Sequence, residues 1–226
     1  LIVQSSLPLR SVETIFAPDS TGFSSCRFEK WFDEKWGDLK SSRTWVKAHA
    51  VCGVKTNIVT ALEVAEKFSP DCPEFKGLIE TTLENFKLDY VAADKGYLSR
   101  ENLEMIDGRG GEVYIPFKSN SVSGEPQSIW EKMFLFYNLH RESFLKKYHQ
   151  RSNIESTFAM VKAKFDDSVR SKSDIAMRNE VYCKFLAHNL CVVHQSMIEL
   201  GIEGVFWESE KREQEEKPIL KFPCIA

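Results

Sequence analysis

Residues 88–99 read LDYVAADKGYLS, and this stretch decides the fold. It opens with a compact apolar strand, Leu88 to Ala93, that stops at Asp94 and is followed at once by a glycine-containing turn. Residues 73–86 before the strand have the apolar spacing of a helix, and residues 100–106 after it predict a second, shorter helix. A buried strand between two helices indicates an α/β protein.

Further strands and helices are predicted on both sides of this stretch. Strands are expected over residues 12–17, 23–31, 45–54 and 57–63, and again over residues 112–117. Helices are expected over residues 127–140, within residues 143–165, and over residues 174–200, where Gly201 ends the last one. Antiparallel strands followed by a helix crossing to another strand fit a ribonuclease-H-like mixed sheet with flanking helices.

Length and composition fit a globular protein of one domain, or at most a small two-domain protein. The chain has 226 residues, of which 42 % are hydrophobic and 28 % charged, and no apolar run approaches the ~20 residues needed to cross a bilayer. We expect a cytoplasmic protein with no membrane partner. Six cysteines without a C-x-x-C pair predict reduced thiols with no metal site or disulfide framework.

The charge is unevenly distributed. The formal net charge is −3, which by itself does not favour nucleic acid as a partner. Residues 141–172, however, contain eight Lys or Arg against four Asp or Glu, whereas residues 208–217 contain five Glu against three Lys or Arg. Positive charge is therefore concentrated in one helical segment, and residues 206–226 are expected to be a charged tail.

That basic segment also carries a polar stripe. If residues 148–162 form one helix, Tyr148, Arg151 and Lys162 all fall within roughly 40° of Glu155 around the helix axis. An apolar stripe lies directly beside them and predicts packing on a sheet. A simple surface pair between Arg151 and Glu155, worth a few tenths of a kcal/mol, explains the stripe about equally well.

Two aspartates shift the balance toward function. Asp19 and Asp94 are each predicted at the end of an apolar strand, before a turn that contains glycine. Aspartate is also a common turn residue, so neither position alone indicates a site. Together with Glu155, however, they could hold a pair of Mg²⁺ or Mn²⁺ ions roughly 3.5–4 Å apart for phosphoryl transfer. Arg151 and Lys162 would then contact phosphates, and Tyr148 could donate a hydrogen bond to one.

The motifs around these residues resemble one family. The segment YHQRSNIESTFAMVK, with Tyr148, Arg151, Glu155 and Lys162, resembles the Tyr-Arg-Glu-Lys signature of insertion-sequence DDE transposases. FAPDSTGF and VAADKGYLS resemble the first and second aspartate motifs of that family, and WVKAHAVCGVKTNIVTALEV resembles the strand pair between them. The likeness runs from about residue 12 to about residue 200. Only 60 residues separate Asp94 from Glu155, so the large β-rich insertion of some members is absent.

The resemblance implies a function and a set of roles. Asp19, Asp94 and Glu155 would be the catalytic triad that binds two Mg²⁺ or Mn²⁺ ions, and Tyr148, Arg151 and Lys162 would contact the DNA of the transposon ends. The partners would be double-stranded DNA, as terminal repeats and as target, and a second copy of the chain in a synaptic dimer. On DNA the protein would be associated with the nucleoid.

Two domain assignments and two other functions accompany this hypothesis. Residues 1–205 are expected to form the catalytic domain, and a DNA-binding region is expected to precede them. A metal-dependent nuclease of the same fold, or a domesticated non-catalytic DNA-binding protein derived from a transposase, remain alternatives. Lys47 and His49 on one strand face, and Trp130, have no role that the sequence decides, although structural positions are favoured for His49 and Trp130.

Overall fold

The computed structural model of the protein describes residues 1–25, 45–65 and 71–207. Its centre is a five-stranded sheet in the order β3-β2-β1-β4-β5. The strands are β1 (Ile15–Ser24), β2 (Trp45–Gly53), β3 (Val59–Ala65), β4 (Tyr90–Ala92) and β5 (Glu112–Tyr114). The helices are α1 (Ile2–Ser6), α2 (Asp71–Leu83), α3 (Arg100–Gly108), α4 (Ile129–Leu139), α5 (Arg141–Tyr148), α6 (Ser152–Phe165) and α7 (Asp174–Glu199).

The sheet combines antiparallel and parallel pairing. Strands β1, β2 and β3 form an antiparallel meander in which Asp19 lies opposite Ala50. Strand β4 then pairs with β1 in parallel, with Phe16 opposite Val91, and β5 pairs with β4 in parallel. Parallel neighbours need a crossover, and helix α3 supplies the one from β4 to β5. Helix α2 carries the chain from the edge strand β3 back to β4, which lies beside β1. This is the mixed sheet with flanking helices of the ribonuclease-H-like fold, as the sequence predicts.

Two hydrophobic cores cover the two faces of the sheet. Successive strand residues point to opposite faces, so Ala17 enters the core formed with α6 and α7, while Phe16 enters the core formed with α2 and α3. On the first face, Ile154 and Phe158 of α6 pack on the sheet. Helix α6 therefore packs on the sheet through its apolar stripe, as predicted. The adjacent polar stripe, with Glu155 and Lys162, lies beside this contact.

Buried polar side chains fasten the last helix to the sheet. Asn189 of α7 accepts a hydrogen bond from the backbone N–H of Val59 and donates to the carbonyl of the same residue, so it pairs with the edge strand β3 much as another strand would. Lys184, also on α7, donates to the carbonyls of Phe165, the last residue of α6, and of Asp166 and Ser168 just after it. These contacts fix α6 and α7 relative to each other.

The first strand is longer than predicted. We expected a strand that ended at Asp19 and a turn at Ser20-Thr21-Gly22, but β1 continues through all four residues to Ser24 and pairs with β2 throughout. The reason lies at Gly22, where a Cβ atom would come within 2.5 Å of the Trp45 ring. This glycine admits the Trp45 ring and does not form a turn. The second predicted strand, residues 23–31, lies from residue 26 outside the described residues.

The basic segment is also divided differently. Residues 148–162 do not form one α-helix, because α5 ends at Tyr148 and one turn of 3-10 helix, His149–Arg151, precedes α6. Ser152 and Asn153 donate side-chain hydrogen bonds to the carbonyls of His149 and Gln150, which competes with α-helical pairing at this point.

In the described part of the chain, no helix has the length and apolar character that spanning a membrane requires.

Candidate active site

The first acidic residue of the site is Asp19, in the middle of β1. It lies two residues beyond Ala17, and its opposite residue is Ala50, which belongs to the same core as Ala17. Its side chain therefore projects toward the face covered by α6. One carboxylate oxygen of Asp19 accepts a hydrogen bond from the backbone N–H of Ser20 at 2.8 Å, and the side chain is 23 % exposed.

Asp94 reaches the same edge of the sheet from the neighbouring strand. In the parallel pairing of β1 with β4, Ile15 lies opposite Tyr90, and Asp19 and Asp94 each follow their member of this pair by four residues. Beyond the paired residues, Ala93 enters the same core as Phe16, so alternation along the chain turns Asp94 toward the opposite face, on which Asp19 lies. The Asp94 carboxylate accepts a hydrogen bond from the Lys95 N–H at 2.7 Å and caps the following 3-10 turn, as expected of a residue at a strand end.

The third acid, Glu155, lies in the first turn of α6 and is joined to Asp19 through Arg151. The Arg151 guanidinium donates from Nη1 to Oδ2 of Asp19 at 2.9 Å, and from Nη2 to Oε1 of Glu155. The Arg151 side chain is 18 % exposed, whereas that of Glu155 is 56 % exposed. The pair predicted as a possible surface interaction on one helix is thus one half of a bridge between helix and sheet.

Arg151 keeps its charge in this position. Burial by itself lowers the pKa of the guanidinium, but the hydrogen bond with Glu155 and the nearby negative charge of Asp19 raise the pKa above its ordinary value. A cation therefore lies between two of the three carboxylates.

Tyr148 lies near Asp94 as well as near Arg151 and Glu155. Burial raises the pKa of its hydroxyl, and the negative charges of Asp94 and Glu155 raise it further, against the opposing effect of Arg151. The ring stacks on Phe144, with centroids 6.5 Å apart, within the aromatic cluster that attaches α5 to β4 and β5. Tyr148 thus stays protonated at neutral pH and can donate a hydrogen bond at the site.

Lys162 lies farther along α6, away from the acidic group. Its Nζ is 5.4 Å from the centre of the Phe23 ring near the end of β1, and burial lowers its pKa, partly offset by Asp167. A rise of 1.5 Å per residue places Lys162 roughly 10 Å beyond Glu155 along the helix. Tyr148 and Arg151 therefore lie with the acids, whereas Lys162 lies toward the opposite end of α6 from Glu155.

The donors of the site suit hard divalent cations. Carboxylate oxygens are the ligands that Mg²⁺ and Mn²⁺ prefer, and Asp19, Asp94 and Glu155 supply them from two strands and a helix on one face of the sheet. Across the described ranges, no three His, Cys, Asp or Glu side chains are arranged to hold a metal ion as they stand. The guanidinium of Arg151 lies between Asp19 and Glu155.

Other residues named from the sequence lie away from this group. Lys47 and His49 alternate along β2 with Ala48 and Ala50, so they face the opposite side of the sheet, where His49 is fully buried. Trp130 is partly buried against Phe117 and donates its ring N–H to a backbone carbonyl. These positions agree with the structural roles favoured for His49 and Trp130.

Four of the six cysteines lie within the described residues. These four, Cys52, Cys72, Cys183 and Cys191, are free thiols, as expected. Burial raises the pKa of the Cys52 thiol to about 12, so this group stays protonated behind the site. Cys26 and Cys224 lie outside the described residues.

Sequence reasoning missed the contact of Arg151 with Asp19. The interval of four residues predicts the Arg151–Glu155 pair. No local pattern, however, predicts that Arg151 contacts a strand residue 132 positions away. The only signal available was indirect: a cation on the stripe that also carries the third acid.

Comparison with known protein families identifies one match. The family described as "Transposase DDE domain" matches residues 10–190, which is most of the chain and includes every site residue named above. No curated protein matches the chain.

Proposed function

The chain belongs to the transposase DDE domain family, and from that premise we propose that it cleaves DNA at transposon ends and joins the ends to target DNA. The observation that carries the proposal is the placement of Asp19, Asp94 and Glu155 on one face of the sheet, with two of them already sharing one cation. We include in this proposal residues 1–205 as the catalytic domain and residues 206–226 as a charged tail, of which residues 208–226 lie outside the described ranges.

Asp19, Asp94 and Glu155 would hold two ions of Mg²⁺ or Mn²⁺. When bound, such ions supply Lewis-acid stabilisation of the attacking and leaving oxygens in an in-line phosphoryl transfer. The two aspartates project from the rigid sheet, while Glu155 projects from α6, which packs on that sheet through Ile154 and Phe158. The scaffold therefore limits how far the three carboxylates can separate.

The cations of the site would bind the DNA backbone. Arg151 presents a planar fork that matches two phosphate oxygens, and Tyr148 donates from a hydroxyl that stays protonated because its pKa is raised. Lys162, roughly 10 Å away along α6, would contact a different phosphate and so align the strand along the helix. These contacts carry no sequence information, so recognition of the terminal repeats needs other residues.

A transposase cuts and joins two element ends together, which suggests a dimer on DNA. We propose a homodimer that binds both terminal repeats in a synaptic complex and then engages target DNA. Sizing of the complex with both ends tests this, because one copy of the chain per pair of ends would contradict it.

The reaction itself is tested with a pre-cleaved duplex that carries the element's end, a supercoiled target plasmid and Mn²⁺. We expect joined products with the wild type and a loss of about 10²–10³-fold with Asp94→Asn, the range found when a preorganised charge-stabilising group is removed. Asp107→Asn makes the same chemical change at an exposed position of α3 and should leave joining intact.

Two results would argue against the proposal. Equal joining by wild type and Asp94→Asn would remove Asp94 from the site. Nicking of the plasmid that does not depend on the end sequence, without joined products, would instead identify a metal-dependent nuclease.

A further inference from the structure

Arg151 occupies the oxygens that the proposed site would offer to metal ions. Its two terminal nitrogens bind Oδ2 of Asp19 and Oε1 of Glu155, one from each side of the interface between β1 and α6. The same carboxylates cannot fully ligate a divalent cation while this fork remains in place. Metal binding at this site therefore requires Arg151 to move.

Arg151 cannot vacate the site by losing its proton. A guanidinium remains protonated in proteins. If a metal ion were bound with Arg151 still in position, cations would lie side by side in a partly sheltered pocket. The side chain must instead rotate away, and its charge then needs a new anionic partner.

A DNA phosphate is the partner with the right chemistry. Phosphate offers two oxygens to the guanidinium fork, as the two carboxylates now do, and Tyr148 beside Arg151 can donate to the same group. Arg151 would exchange its two carboxylate partners for a phosphate, and the two carboxylates would exchange the guanidinium for a metal ion. Each carboxylate keeps a cation throughout, so Asp19 and Glu155 are never left to repel each other at close range.

We propose that Arg151 is a latch that couples metal binding to DNA binding. Without DNA it bridges Asp19 and Glu155, holds them together and competes with divalent cations. With DNA it transfers to a backbone phosphate and releases both carboxylates. The inference rests on the proposed function, and it adds that the free protein binds metal weakly until a DNA strand is in place.

Linkage makes the proposal quantitative. If DNA raises the affinity for Mn²⁺ by some factor, Mn²⁺ must raise the affinity for DNA by the same factor. Coupling between sites usually amounts to about 5- to 150-fold. Removal of the latch should tighten metal binding without DNA and should also abolish the coupling.

The test is a Mn²⁺ titration followed calorimetrically, with and without a saturating, short, 5′-phosphorylated DNA duplex at low salt. Metal bound by the duplex alone is measured separately and subtracted. We expect DNA to tighten Mn²⁺ binding by wild type at least about 5-fold. Arg151→Gln should bind Mn²⁺ more tightly than wild type without DNA, and DNA should change its affinity little.

Lys164→Gln is the matched control, because it removes one positive charge from the same helix. Lys164 is exposed near the end of α6, roughly 13 Å beyond Glu155 along the helix. Its loss should leave the DNA-free affinity for Mn²⁺ at the wild-type value. Arg151→Lys keeps the charge without the fork, and we expect an intermediate affinity. Thermal melting of each variant shows that the fold is retained.

The outcomes separate the latch from the proposed function. If Arg151→Gln binds Mn²⁺ no more tightly than wild type, or if Lys164→Gln tightens binding equally, the latch is wrong while the metal site stands. If neither wild type nor Arg151→Gln binds Mn²⁺, with or without DNA, the metal site and the latch both fail. If only Arg151→Gln binds without DNA, the latch is supported in its strongest form.

Discussion

The Arg151 guanidinium lies 2.9 Å from the Asp19 carboxylate, although 132 positions separate the two residues along the chain. This contact joins the first half of the protein, which supplies the sheet, to the second half, which supplies the helices. It also places a positive charge against Asp19, the first acid of the proposed triad. Substitutions at this pair should therefore affect metal binding as well as folding.

Asp19→Asn should separate these two effects. The side chains of the pair are only 18 % and 23 % exposed, so loss of the charge on Asp19 should lower the free energy of unfolding by about 1–3 kcal/mol. Mn²⁺ affinity in the presence of duplex DNA should fall by at least about 10- to 100-fold. Urea unfolding and calorimetric titration measure the two quantities. A large loss of stability with unchanged metal affinity would show Asp19 to be structural.

Lys162 should contribute one phosphate contact. Replacing it with Gln should weaken duplex binding at low salt and reduce the slope of log K against log salt by about 0.9. The effect should be similar for unrelated DNA sequences, because phosphate contacts do not read bases. Fluorescence anisotropy at several salt concentrations measures the slope. An unchanged slope would place Lys162 away from the DNA.

Asn189→Ala should destabilise the fold without touching the site. The side chain is fully buried and hydrogen bonds to both backbone groups of Val59 and to Ser5, so its loss leaves a buried N–H without its acceptor. We expect the free energy of unfolding to fall by about 2–4 kcal/mol. Gln195→Ala, at an exposed position of the same helix, should stay within about 0.5 kcal/mol of wild type in the same urea measurement.

Two glycine-to-alanine changes should have opposite signs. A Cβ at Gly53 would come within 2.4 Å of the buried Glu13 carboxyl group, which accepts hydrogen bonds from Thr56, so we expect a loss of about 1–3 kcal/mol. A Cβ at Gly77, exposed inside α2, would meet nothing within 4 Å and should stabilise the protein by about 0.5–1 kcal/mol. Equal effects in thermal unfolding would contradict this view of both sites.

His188 should make stability depend on pH. Burial lowers its pKa below the ordinary 6.5, although its Nε2 contacts the carbonyl of Asn57 at 2.9 Å. Because the folded pKa is the lower one, the unfolded chain takes up the proton first as the pH falls. The contribution of His188 is therefore complete above pH 6.5 and is lost progressively below it, toward the folded pKa.

The readout for His188 is the slope of unfolding free energy against pH below 6.5. His188→Gln should remove part of that slope, whatever its effect on stability at neutral pH. His194→Gln, exposed on the same helix, should leave the slope unchanged. A His188→Gln variant with the wild-type slope would mean that other groups produce the acid sensitivity.

Local patterns were reliable where one physical cause dominated. The apolar run at residues 88–93 and the helical spacing after residue 174 each predict an element that the structure contains, because burial of one face or stripe decides such segments. Gly22 was misleading for the opposite reason. Glycine serves both turns and close packing, and only the position of the Trp45 ring shows which applies.

The amino-acid sequence alone determined the class of sheet and the approximate positions of several strands and helices, because periodicity and side-chain chemistry are local properties. Tertiary structure alone decided that Asp19 lies within a strand, that Tyr148 and Glu155 belong to different helices, and that Arg151 bridges two acids. Those facts depend on strand register and on the packing of α6 against the sheet. Contacts between distant segments arise from the whole core at once, and no short stretch of residues specifies them.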